Sequence, residues 1–258
     1  MTTTALNTKN DTTNTRGALL GVVVCCALGF AACGDETDAD GQGDVTVTVY
    51  GEDFIELGIP ADEMADGWSV SFDRFVVNVD DVVVGGVTIP SPDPIDISVE
   101  TSGAGHSIAS AVVPAGDHTN SSFAITRVEL SGSASKDGVT KTFDWVFDQT
   151  TRYSACETTT KVSDGGDATF QITVHADHFF YDSLVSEEPQ VVFQALADAD
   201  ADGDGALTQA ELEATDIGAY DPGSAGDVND LWAWLIAQGH TLGHVDGEGH
   251  CDFEAQSN

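Results

Sequence analysis

The chain is poor in positive charge. Eight Lys and Arg stand against 44 Asp and Glu in 258 residues, a formal net charge of −36. Such a surface is repelled by nucleic-acid phosphates and anionic lipid headgroups, which argues against nucleic-acid binding and electrostatic membrane attachment. It also leaves few groups to hold an anionic substrate. The sequence lacks a phosphate-cradling glycine loop, a Gly-x-Ser-x-Gly elbow and a His-Glu-x-x-His helix motif. These absences favour a non-enzymatic protein. No apolar run reaches the about 20 residues that span a bilayer.

The longest apolar run is Ala18 to Ala32, preceded by Lys9 and Arg16. It has the size and flanking charge of a signal-peptide core. The stretch Leu28-Gly-Phe-Ala-Ala-Cys33-Gly34 resembles a bacterial lipobox. That resemblance implies that residues 1–32 are a lipoprotein signal peptide. It implies too that Cys33 becomes the lipidated N-terminus, holding the protein to a membrane of the cell envelope (periplasm or cell surface). Residues 33–44, dominated by Gly and Asp, read as a flexible acidic tether. Of five cysteines, Cys25 and Cys26 fall in the signal, leaving Cys156 and Cys251. In an oxidising compartment two remaining cysteines are most simply a disulfide. The alternative is that Cys251 ligates a metal beside His250.

Residues 45–186 alternate with period two in many short runs separated by Gly, Pro, Asp and Ser. The expectation is a mainly β protein, an antiparallel β-sandwich. Trp68, Phe72, Phe75, Phe123, Trp145 and Phe170 are its expected core. Between 187 and 239 the spacing turns helical, with helices expected over 187–197, 208–215 and 228–238, the last capped by Asp227. Residues 240–258 form a His- and Gly-rich tail without periodicity.

Between the first two expected helices lies Asp200-Ala-Asp-Gly-Asp-Gly-Ala-Leu-Thr-Gln-Ala-Glu211. Calcium is a hard cation that takes six to eight oxygens. The alternating Asp200, Asp202 and Asp204 converge as such a loop curls, and Gly205 allows the sharp turn. This run resembles an EF-hand calcium loop. The resemblance implies a small C-terminal helical EF-hand module. In it Ala206 would ligate through its carbonyl, Thr208 through water, and Glu211 through both carboxylate oxygens. No second loop follows, so a lone calcium would act as a structural clamp rather than as a sensor.

Five of the seven His fall in two short runs. One is His175-Ala-Asp177-His178, at the end of an expected strand. The other contains His240, His244 and His250. Imidazole suits zinc, copper, iron and nickel. On a continuing strand His175 and Asp177 would share one face and His178 the other. On a continuing helix His240 and His244 would share a face. Two patches, residues 66–75 and Val113-Pro-Ala-Gly-Asp-His118, are similar to periplasmic metal-binding β proteins associated with copper-chelating peptides. No residue role is carried over from them.

The leading expectation is therefore an exported, lipid-anchored, non-enzymatic protein that binds calcium in one loop. The alternative is a periplasmic zinc- or copper-binding or scavenging protein using the His cluster. A metal-dependent hydrolase, with Glu248 or Asp177 as base, is a third reading.

Overall fold

The structure, a computed structural model, describes residues 41–90 and 93–256. The segment read as a signal peptide, Cys33 and most of the expected tether lie outside the described residues. Strand β1 (Gln42–Tyr50) begins inside the segment read as tether. A short helix α1 (Glu52–Glu56) follows, then β2 (Ser69–Val84), β3 (Val87–Ile89), β4 (Ile95–Asp96) and β5 (His106–Pro114). Next come β6 (Gly116–His118), β7 (Ser122–Lys136), β8 (Val139–Phe147), β9 (Thr150–Ser154), β10 (Thr160–Val162) and β11 (Asp167–Val174). A 3₁₀ turn (Asp177–Phe180) leads to α2 (Gln194–Asp198), β12 (Ala206–Leu207), α3 (Gln209–Glu213) and α4 (Leu231–Gly239). The chain closes with β13 (Gly243–Val245) and β14 (Asp252–Gln256).

The protein is mainly β, with mixed sheets. One sheet runs β13-β11-β1-β5, and a larger one runs β12-β8-β7-β2-β3 with β4, β9 and β14 attached. The antiparallel expectation is corrected at two pairings: β1 lies parallel to β11, and β12 parallel to β8. Parallel neighbours need a long crossover between them, so short-range alternation cannot reveal them. In β1 the alternation points Val45, Val47 and Val49 inward, and none of them is exposed. Each such Val contributes about 1.5 to 3 kcal/mol on burial. The expected aromatics Trp68, Phe75, Phe123, Trp145 and Phe170 are buried, and Phe72 packs partly buried against them.

The helical expectation is reduced. The two helices flanking the acidic loop, α2 and α3, are five residues each, so a helical EF-hand module does not stand out as a separate body. Instead the loop is joined to the larger sheet. Ala206 and Leu207 pair with Thr142 and Phe143, and Trp145 Nε1 donates to the Leu207 carbonyl at 2.9 Å. Helix α4 starts at Leu231 and is capped by Asp230, whose side chain accepts from the Ala233 N–H; Asp227 is not its cap. The tail is also ordered into strands. β13 pairs with β11 and β14 with β9, and a disulfide joins Cys156 to Cys251. That bond excludes Cys251 as a free thiolate ligand. Among the described residues, no helix is long and apolar enough to cross a membrane.

Candidate metal centre

Three imidazoles meet where β11 ends. Strand β11 stops at Val174, and His175 begins the turn that follows. The chain then tightens into the 3₁₀ turn, in which side chains three positions apart eclipse one another. The extended strand thus ends before His178, whose ring comes to the same side as that of His175, with centroids 5.4 Å apart. The third ring comes from β13, whose His244 lies opposite Thr173 of β11. One donor nitrogen from each of His175, His178 and His244 lies within 4.8 Å of the others. Their ring centroids are 4.1 to 5.4 Å apart.

The hydrogen bonds assign the tautomers. Thr241 Oγ1 gives its proton to the Gln238 carbonyl at 2.8 Å. It must then accept from His178 Nδ1, also at 2.8 Å, which leaves the His178 Nε2 lone pair free. His175 Nε2 faces two acceptors, the Gly247 carbonyl at 3.3 Å and Glu52 Oε1 at 3.5 Å. It carries the proton, and Nδ1 keeps the lone pair. His244 is 6% exposed, and its Nδ1 is buried without a hydrogen-bond partner. Such an orphan costs stability in an apolar setting unless something occupies it. Burial, reinforced by the neighbouring imidazoles, pushes His178 and His244 down to about 3. Both rings are neutral at pH 7, the state a metal requires.

Other expected residues fall differently. His240 is not part of the cluster: α4 ends at Gly239, and His240 Nδ1 lies 2.7 Å from Thr151 Oγ1. Because His244 stands on a strand, the two rings never share a helix face. His250 is exposed, yet its ring centroid is 5.1 Å from that of His244 and it borders the same cavity. The Asp177 carboxylate is taken by Tyr181 Oη, which donates to it at 2.8 Å. Glu52 was not anticipated. It sits at φ +53 at the start of α1, a left-handed conformation uncommon outside glycine. Its carboxylate groups with His175 and Glu248. Burial first, then Glu248 and Asp177, push Glu52 above its ordinary range, while His175 opposes them. No local sequence signal marks Glu52; only the chain path brings it there. A cavity of about 510 Å³ opens over the cluster.

The acidic loop is a second group. Asp200, Asp202 and Glu211 each offer an oxygen within 4.8 Å of the others. Gly205 stands at φ +89, as the sharp turn requires. Within the loop Asp200, Asp202 and Asp204 each accept from backbone N–H groups, Asp204 Oδ1 from that of Ala206 at 2.7 Å. Thr208 caps α3 in a reciprocal capping box with Glu211. Lys141 of β8 ion-pairs with Asp200, whose side chain is 1% exposed. That contact, first among several, holds Asp200 below the ordinary carboxylate range. The hydroxyl and N–H of Thr208 do the same for Glu211.

Comparison with protein-family models, curated proteins and solved structures gives no match.

Proposed function

We propose that this is an exported, non-enzymatic metal-binding protein that holds zinc or copper on His175, His178 and His244. The observation that carries the reading is the convergence of three imidazoles, with the buried Nδ1 of His244 left without a partner. Three protein nitrogens with further positions open suit zinc or copper better than a hard cation. Calcium in the loop 200–211 is a second, structural part of the same proposal. Asp200, Asp202 and Glu211 support it as a mixed carboxylate set welded to the sheet through β12. On this reading the two larger sheets form a sandwich and the loop is an EF-hand with shortened helices that clamps its edge. Export through a lipidated Cys33 rests on the signal-like N-terminus and fits the Cys156–Cys251 disulfide.

Elemental analysis of the purified protein tests the reading. One zinc or copper per chain is expected, lost in His244→Ala and retained in Glu211→Gln. Absence of any stoichiometric transition metal, or equal metal in His244→Ala, would refute it.

A further inference from the structure

His175 and His178 come from the turn after β11 and His244 from β13, and all three line one cavity. Its volume of about 510 Å³ far exceeds what a bound water needs, since a water's share of liquid is about 30 Å³. The wall has a one-sided charge. Glu52, Asp177, Glu187 and Glu248 line it, and no Lys or Arg does among the described residues. Three side-chain donors beside the cluster are already committed, whereas the Ser183 and Ser186 hydroxyls, which also line the cavity, accept from backbone N–H groups and keep their protons. Tyr181 Oη donates to Asp177, Thr241 Oγ1 to the Gln238 carbonyl, and Gln238 Nε2 to the Tyr181 carbonyl. An anion entering this pocket would meet repulsion from these four carboxylates. A neutral or cationic N–H donor would find carboxylates ready to accept.

Resting on the trihistidine reading, we propose that the metal is bound together with an external ligand of the amine or imidazole class. The pocket selects against anionic co-ligands. One nitrogen of this ligand fills an open coordination position, and its N–H groups reach Glu52 and Glu248. Phe54 and Leu184 supply apolar wall to a small organic body. Metal delivered as an anionic chelate is disfavoured by the same carboxylates.

The test uses the full chain loaded with Cu(II), or with Co(II) as a spectroscopic stand-in for zinc. Imidazole and azide are titrated separately, and the ligand-field and charge-transfer bands are followed. Imidazole should perturb the bands at concentrations about tenfold or more below azide, a gap that narrows at high salt. In Glu187→Gln/Glu248→Gln, azide should gain about tenfold as the repulsion is removed. Equal binding of the two probes, an unchanged azide affinity in the double variant, or no spectral response to either would overturn this proposal alone. Failure of the chain to load any metal would remove the trihistidine reading, and this proposal with it.

Discussion

Lys141 makes the calcium reading of the acidic loop testable. Its ammonium sits on Asp200, the first acidic residue of the loop and nearly enclosed. Without calcium it is the counter-charge of that carboxylate; with calcium it is a competitor. If the loop binds calcium as extracellular modules do, the constant is on the order of 10⁻⁴ to 10⁻³ M. About 10 mM free calcium then stands 10- to 100-fold above the constant and stabilises the fold by about 1.4 to 2.7 kcal/mol. In a domain of this size that is a rise of about 3 to 11 °C in melting temperature. Glu211→Gln should abolish most of the rise, because it weakens bidentate coordination. Lys141→Met should melt below wild type in chelator, where Asp200 loses its partner. In calcium the deficit should close, because the ion no longer has to evict the ammonium. The assay is thermal unfolding of the three proteins in chelator and in calcium. A wild-type melting point that does not move would refute the calcium reading. A Lys141→Met deficit of the same size in both conditions would refute the competition.

Three further outcomes are expected. Thr241→Val removes the acceptor that fixes the His178 tautomer, so transition-metal affinity should fall about 10- to 100-fold with stoichiometry unchanged; competition with a chromophoric chelator would register an unaltered affinity as a refutation. Replacing Cys156 and Cys251 by Ser opens a loop with a sequence separation of 95. It should cost at most about 4 to 5 kcal/mol in denaturant unfolding, and a midpoint equal to wild type would contradict the clamp. His178 and His244 titrate near 3 in the fold, well below the about 6.5 of an unfolded chain. The unfolded state therefore binds more protons, so the metal-free protein should be most stable above about pH 6.5 and weaken as pH falls from there towards about 3. His244→Gln should flatten that slope, and an identical slope in the variant would show that the cluster is not its source.

Some of this protein was legible in the chain alone. Period-two alternation marked β1, β2, β7 and β8, because a strand with one buried face must repeat every second residue. The acidic loop was legible because its donors lie within twelve consecutive positions, and Thr208 reads as a cap from local chemistry. The pairing of β1 with β11, and of β13 with β11, was not legible, because strand neighbours far apart in sequence leave no local period. That pairing built the histidine cluster. It set His244 beside His175 and left His240 at the C-terminus of α4, bonded to Thr151. The 3₁₀ turn decided the side of His178, and the chain path at Gly51 and Glu52 decided which carboxylate meets His175. Residue types and their clustering were thus fixed by sequence. Which imidazoles share a cavity, and which are spent on hydrogen bonds elsewhere, depended on contacts between segments that only the tertiary packing brings together.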